Sequence, residues 1–332
     1  MNVLLPPTVV REKLCCHMEA VSAMSVYSRM SMKSRMFYIK SDYAEVIGKI
    51  VQEAKCQFHD IICTVCPDYV QLHNDSEDVI KQFELFFVKK VPSKALIYSQ
   101  HVNSPVDFDD IRKFQIYTHL LLGRCISQTF KILKECFEKY TLKTMFLSFN
   151  GGKDCVVLLH LLLAVMKELK LCGPLKVVYF RSDDQFPEEE EYVHLIEKKY
   201  DLDLEIIEGE LKGGLTNFLT KNPEFRASVI GTRQSDNDST KLQFFQNTDP
   251  GWPPLIRVQP LINWNYETVW SFLRQFSIPY CCLYDKGYTS LGNKSNSKPN
   301  PHLKYIDEET REIKYLPAFL LQNVKSERQS RL

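Results

Sequence analysis

Met145-Phe146-Leu147-Ser148-Phe149-Asn150-Gly151-Gly152-Lys153-Asp154 joins two kinds of structure. Met145 to Leu147 reads as a buried strand, and Val156 to Leu169 reads as a long apolar helix. Strand, glycine turn and helix, in that order, form an arrangement that binds phosphate. Gly151 and Gly152 let the backbone come close to an anion. The N–H groups at the helix start point at that anion, and the helix dipole favours negative charge there. Lys153 adds a point charge, and Asp154 is a carboxylate that can ligate magnesium. The Walker loop is excluded, because it has four residues between its glycines and a Ser or Thr after the lysine.

From Met145 onward strand and helix patterns alternate, the signature of a parallel sheet with helices on both faces. Leu175 to Phe180, Asp203 to Ile207 and Ala227 to Gly231 read as strands, with Leu255 to Pro260 as an edge element. Pro187 to Tyr200 reads as a helix, with proline at its start and four glutamates in its first turns. Tyr266 to Phe276 is an amphipathic helix carrying Val269, Trp270 and Leu273. Ahead of Met145, Asp109 to Tyr140 keeps helical spacing through Ile111, Phe114, Tyr117, Leu121, Ile132, Leu133 and Phe137, and reads as one packing helix.

The Pro-bearing stretch Val102 to Asp107 separates this region from a small α/β piece, so the expected domains are 1–104 and 105–332. In the small piece, Phe37 to Lys40 and Ile61 to Val65 read as strands. Asp42 to Ala54 reads as a helix, and Asp75 as the N-cap of another. No catalytic constellation stands out in it.

At 332 residues the chain has room for one large domain or two smaller ones, and 44% apolar residues is ordinary for a globular protein. A formal net charge of +1 gives no reason to invoke nucleic acid. No run reaches the roughly 20 apolar residues of a membrane helix, so no membrane partner is expected. The 11 cysteines follow no spaced framework, and free thiols in a reducing compartment are the simplest account. The cytoplasm is therefore expected. The first 37 residues, rich in Met, Ser and Arg, keep a mitochondrial leader as the alternative, against which stand Glu12 and Glu19. Cys63 and Cys66 form a CxxC with no second pair to complete a zinc site.

Ligands of such sheets bind beyond the carboxyl ends of the strands, and polar residues sit there. Arg181-Ser182-Asp183-Asp184 offers Asp183 and Asp184 to ribose hydroxyls or a metal, or else caps the next helix as a solvated turn. Gly231-Thr232-Arg233-Gln234-Ser235-Asp236 offers a sharp turn at Gly231, a bidentate phosphate grip at Arg233 and a hydrogen-bond acceptor for a heterocycle at Asp236.

The loop 148–154 resembles the phosphate loop of the ATP pyrophosphatase group. A wider resemblance rests on six ordered blocks: Phe149 to Asp154, Gly231 to Asp236, Arg257 to Trp264, Tyr284 to Gly292, Pro299 to Leu303, and Glu327-Arg328-Gln329-Ser330-Arg331. Together they are similar to eukaryotic FAD synthases, FMN adenylyltransferases of the PAPS-reductase-like fold (also grouped with the adenine nucleotide alpha hydrolase-like folds). Met36 to about Leu96 resembles the tail of the molybdopterin-binding-like domain that animal members carry ahead of the synthase. The bulk of that domain is not in the sequence, so the resemblance implies a shortened form and does not carry over its hydrolase activity.

The resemblance implies magnesium-dependent transfer of the adenylyl group of ATP to FMN, giving FAD and pyrophosphate, with apo-flavoproteins as recipients of the product. It implies that Ser148, Asn150, Gly151, Gly152 and Lys153 hold the ATP phosphates, with Asp183, Asp184, Gly231 and Arg233 completing the nucleotide site. Asp154 is the implied magnesium ligand. Arg328 and Arg331 fold over the phosphates as catalytic residues with Asn150 and Asp154. Asp236 reads the polar edge of the flavin, Arg257 is a further FMN candidate, and Trp252 and Tyr288 either pack on the ring or fill the core. The cysteines, Cys155 included, are expected to be non-catalytic. Two rivals are a reductase or thiolation enzyme of the same fold, disfavoured because no cysteine follows Cys282, and a catalytically inactive binding protein, disfavoured by the intact loop Asn150 to Asp154.

Overall fold

The structure, a computed structural model, describes residues 33–97, with breaks at 40–42, 59–60, 66–68, 75 and 92–95, and residues 106–332, with breaks at 237–241 and 307–310. Residues 1–32 of the candidate leader, Cys66, Asp75 and most of the Pro-bearing stretch lie outside the described residues. Two compact units divide the chain, the first ending at Leu96 and the second beginning at Ile97. Among the described residues no helix is long and apolar enough to cross a membrane.

The first unit contains β1 (Lys33–Ile39), α1 (Ala44–Gln57), β2 (Ile62–Val65), β3 (Tyr69–Asn74) and α2 (Glu77–Lys90), with β4 (Leu96–Ile97) at the boundary. Its sheet has the order β2-β3-β1-β4. The unexpected strand is β3, which pairs antiparallel with both β1 and β2. Val70 and Leu72 of β3 join Ile47, Val51, Ile80, Phe83 and Phe87 in the core. The cap of α2 is Ser76, whose hydroxyl accepts from the Val79 N–H at 3.5 Å.

The second unit is built on a six-stranded sheet of order β7-β6-β5-β8-β10-β9. Its strands are β5 (Met145–Ser148), β6 (Lys176–Arg181), β7 (Asp203–Glu208), β8 (Ala227–Val229), β9 (Phe245–Asn247) and β10 (Ile256–Val258). All neighbouring pairs are parallel except β9 with β10. The stretch Leu255 to Pro260 is thus not the edge. A short strand after it in space, β9, takes that place, and three residues were too few to signal a strand.

Helices cover both faces. On one, α3 (Phe108–Phe114), α4 (Leu121–Lys139) and α8 (Tyr266–Gln275) pack around α5 (Lys153–Glu168). Helix α5 is buried without a break from Val156 to Leu162, as expected of a helix apolar all round. His160 within it donates from Nδ1 to Val156 O at 2.7 Å and shares a hydrogen bond of 2.8 Å between Nε2 and the Tyr200 hydroxyl. Burial pushes its pKa down to about 4, so it is a neutral core residue. On the other face, α7 (Leu211–Lys221) lays Leu215 and Phe218 on Phe146, Val178, Phe225 and Leu255. Helix α6 (Pro187–Tyr200) keeps the expected bounds.

The single helix expected over 109–140 is two helices. Asp107 caps α3, accepting from the Asp109 N–H at 2.8 Å, and the chain turns before α4. At the turn Phe114 meets Tyr117 at 5.7 Å and Phe276 at 5.5 Å between ring centroids. The contact with Phe276, at the end of α8, overrides a spacing that runs on smoothly in sequence. Helix α7 was also missed, because Gly213 and Gly214 are poor helix formers. Its N-cap is Glu210, whose carboxylate accepts from Lys212 N–H at 3.0 Å and Gly213 N–H at 2.7 Å. Finally, β11 (Lys304–Ile306) and β12 (Ile313–Tyr315) form an antiparallel pair.

Candidate active site

From β5 the sheet grows through β6 and β7 on one side and through β8 and β10 on the other. The carboxyl ends of β5 and β8 are therefore the point where the winding reverses, the usual place for a ligand. Ser148 and Ser228, at those two ends, share a hydroxyl hydrogen bond of 2.8 Å. The loop after β5 turns at Gly151, whose φ of +75° is costly for any side chain. Lys153 and Asp154 then form the first turn of α5. Two N–H groups of the loop are already held. Gly152 N–H donates to Asn150 Oδ1 at 3.0 Å, and Lys153 N–H donates to the buried Tyr284 hydroxyl at 2.9 Å.

The loop after β8 brings Arg233 and Asp236 to the same place, and a third segment arrives from the C-terminus. Lys153, Arg233 and Arg328 meet Asp154, Asp236 and Glu327 in one alternating cluster. Glu327 Oε1 accepts from Lys153 Nζ at 2.6 Å and from Arg233 Nη2 at 2.7 Å. Lys153 Nζ also lies 3.1 Å from Asp154 Oδ2, and Arg233 Nε lies 3.0 Å from Asp154 Oδ1. Asp236 accepts the Arg233 backbone N–H at 2.9 Å and its Nη2 at 3.1 Å, and Arg328 at 3.4 Å. The Lys153 ammonium stands 5.4 Å from the Tyr266 ring centre and 5.9 Å from that of Tyr284.

The two cations at its centre are nearly dry: Arg233 is 2% and Lys153 2% exposed. Burial opposes the charge on Arg233, but Asp154, Glu327 and Asp236 outweigh it and push the guanidinium pKa up. Burial would likewise raise Glu327 and Asp236. Lys153 and Arg233 instead hold Glu327 below the usual carboxylate range, and Arg233 does the same for Asp236. Arg233, Asp236 and Glu327 are therefore ionised near neutrality. Asp154 Oδ1 and Arg233 Nε and Nη1 are nonetheless buried without a hydrogen bond from the protein. They are polar atoms aimed at a site where a buried group ordinarily has a partner.

The C-terminal segment is a 3-10 turn over Val324–Ser330, fastened at several points. Thr289 Oγ1 donates to Glu327 O at 2.6 Å, Asn300 Nδ2 to Ser326 O at 2.8 Å, and Lys298 N–H to Ser330 O at 2.8 Å. Arg331 donates from Nε to Ser290 Oγ at 3.0 Å and from Nη2 to Leu291 O. A side chain at Gly292 would run into the Arg331 guanidinium and displace it from this seat. The blocks around 284–303 thus serve to seat the tail.

The other expected residues distribute as follows. Asp184 Oδ2 accepts the Ser295 N–H at 2.8 Å, and hydrogen bonds from the Ser295 side chain and backbone lower its pKa, while Asp183 beside it is exposed. Tyr288 packs edge-on against Phe186 at 5.4 Å, at the start of α6. Trp252 packs on the α7-side core cluster. Arg257 makes a two-pronged pair with Asp249, both bonds 3.0 Å, and donates to Asn247 O. Neither Trp252 nor Arg257 shares a hydrogen bond or ion pair with the cluster. Cys155 lies beside the loop with its thiol pushed up to about 12, first by burial and then by Asp154.

The sequence reading includes Glu327 and Tyr284 in its blocks but assigns no role to either, nor to Tyr266 or Ser228. Glu327 alone had a signal, as the acidic residue heading the arginine pair of the tail. Among the described residues no group of three or more His, Cys, Asp or Glu is set to hold a metal. A cation here would draw on Asp154 together with phosphate oxygens, the usual habit of magnesium.

The family model of the phosphoadenosine phosphosulfate reductase domain matches residues 144–215 and 213–299. A probable FAD synthase of Schizosaccharomyces pombe is 36% identical over 213 residues, covering 62% of this chain and 78% of that protein. A probable FAD synthase of Caenorhabditis elegans is 38% identical over 208 residues, and the chain spans 62% of its own length but only 40% of that relative. The crystal structure of Candida glabrata FMN adenylyltransferase in complex with FAD and inorganic pyrophosphate superposes with a TM-score of 0.62 at 28% identity, over 68% of this chain and 94% of that one.

Proposed function

The chain belongs to the FAD synthase family, and on that premise we propose that it transfers the adenylyl group of ATP to FMN. The observation that carries the proposal is the cluster of Lys153, Arg233, Asp154 and Glu327 at the point where the sheet reverses, closed by the arginine tail.

An FMN phosphate oxygen attacks the α-phosphorus of ATP. The new bond is P–O–P, the bond to the β-phosphate breaks, and pyrophosphate leaves. No covalent enzyme intermediate is needed, so the protein's task is positioning and neutralising charge. Ser148, Asn150, Gly151, Gly152 and Lys153 hold the departing phosphates. Arg233, whose Nε and Nη1 lack protein hydrogen bonds, donates to phosphate oxygens. Arg328 and Arg331 cover the phosphates and keep water out. Asp236 accepts from the flavin, Tyr288 packs on its ring, and Asp183 and Asp184 face the nucleoside. Asp154 suits magnesium, because Oδ1 is buried and takes no hydrogen bond from the protein. Bound there, magnesium would neutralise charge on the phosphate oxygens.

A reductase would use a nucleophilic thiol, and the Cys155 thiol beside the loop, pushed up to about 12, is unsuited to that. The described cysteines are free thiols, which supports a cytoplasmic setting.

The test is incubation with ATP, magnesium and FMN, followed by chromatography for FAD and pyrophosphate. Wild-type protein should form both in equal amounts, and Asp154→Ala should fall by several kcal/mol of transition-state stabilisation, roughly 10²-fold or more. Absence of FAD from a folded wild-type chain would remove the proposal.

A further inference from the structure

Lys153 has two carboxylates within reach and Arg233 three, and in both cases Glu327 is the nearest. Lys153 Nζ is 2.6 Å from Glu327 against 3.1 Å from Asp154. Arg233 Nη2 donates to Glu327 at 2.7 Å, whereas its Nε stands 3.0 Å from Asp154 Oδ1 without forming a hydrogen bond. The seat of Glu327 is built rather than incidental. Its carbonyl accepts from Thr289 at 2.6 Å, and the preceding carbonyl, Ser326 O, accepts from Asn300 at 2.8 Å. Asp236 cannot substitute, since its oxygens already accept from the Arg233 backbone, the Arg233 side chain and Arg328.

We propose that Glu327 is a positioning residue: by drawing Lys153 and Arg233 onto its own carboxylate, it keeps Asp154 Oδ1 open to a divalent cation. Without Glu327, Lys153 would keep only Asp154 as a counter-charge and Arg233 only Asp154 and Asp236, and an incoming metal would have to compete with two positive charges for the Asp154 carboxylate. The tail then does more than deliver arginines, because its seating also frees the metal ligand. This inference rests on the role given to Asp154 above.

The experiment uses the full chain, Mn²⁺ and an ATP analogue with a methylene bridge between its α- and β-phosphates. Free Mn²⁺ is followed by electron paramagnetic resonance, and analogue binding without metal by calorimetry. Loss of a residue that orients a metal ligand ordinarily weakens metal binding about 10- to 100-fold. Glu327→Gln should therefore raise the Mn²⁺ concentration for half-saturation by at least about tenfold. Metal-free analogue should bind as tightly as to wild type or more tightly, since a negative charge has left the phosphate site. Glu327→Asp keeps the charge but shortens the reach, and should shift the Mn²⁺ titration in the same direction by a smaller factor. This variant decides the matter if Glu327→Gln does not fold. An unshifted Mn²⁺ titration would overturn the inference, as would equal weakening of metal and metal-free analogue binding, the mark of a purely structural role. Asp154→Ala that binds Mn²⁺ like wild type would instead overturn the assignment of Asp154 itself.

Discussion

Glu189→Gln should make the protein more stable at alkaline pH while leaving its stability in acid unchanged. Glu189 lies in the first turn of α6, directly behind the phosphate loop, and is 2% exposed. Burial pushes its carboxyl up from 4.5 to about 8, against the opposing pull of the Gln185 hydrogen bond and Arg331. The folded chain thus holds a proton that the unfolded chain gives up near pH 4.5. Between 4.5 and 8 the unfolded state gains from ionisation and the folded state does not, so stability falls as pH rises through that window. At about 1.4 kcal/mol per pH unit the full window corresponds to at most roughly 4–5 kcal/mol. Glutamine keeps the size and the polar contact and removes the titration. The variant should match wild type at pH 5 to within about 1 kcal/mol and exceed it by roughly 2–4 kcal/mol at pH 8. In melting temperature that is on the order of 5–15 °C for a unit of this size. Thermal unfolding by circular dichroism from pH 5 to pH 9 at fixed ionic strength reads it directly. Curves for the two proteins that run parallel across the range would refute a buried, proton-holding Glu189.

The two tail arginines should part company in stability but not in turnover. The Arg328 side chain is 60% exposed with one ion pair at 3.4 Å, so Arg328→Ala should change urea unfolding by no more than about 0.5 kcal/mol. Arg331→Ala strands Ser290 and the Leu291 carbonyl and should cost ~1–3 kcal/mol. Both should lower FAD formation strongly, and wild-type turnover in either would free that residue from the site. Cys155→Ala should keep turnover within about tenfold of wild type, and a loss beyond the ~100-fold typical of a positioned acid or base would overturn its bystander status. A chain starting at residue 105 should form FAD at a rate similar to the full sequence, and a folded but inactive product would show that the first unit contributes to the site.

The phosphate loop, the strands flanking it and helices α6 and α8 were legible in sequence because each is a local pattern. A buried strand, two glycines and a fully apolar helix identify one another within 25 residues, Met145 to Leu169. The proline and glutamates of α6 mark its start by dipole and capping preferences that act over a single turn. Arg233 and Asp236 were also within reach, as polar residues just past a strand end.

What escaped was whatever depended on contact between distant segments. The break between α3 and α4 is set by Phe276, a ring that arrives from α8. Tyr284 takes the Lys153 N–H from 131 residues away, and Glu327 reaches the Lys153 ammonium from 174 residues away. By composition alone the tail is a short polar run like a solvated terminus, and only the resemblance of its Glu-Arg-Gln-Ser-Arg block set it apart. Its glutamate becomes a buried counter-charge only because Thr289, Lys298 and Asn300 fasten the backbone on which it rides. Local propensities act over a few residues and can be read from composition and spacing. Which carboxylate neutralises which buried cation is decided by desolvation and distance, and those exist only once the chain has closed on itself.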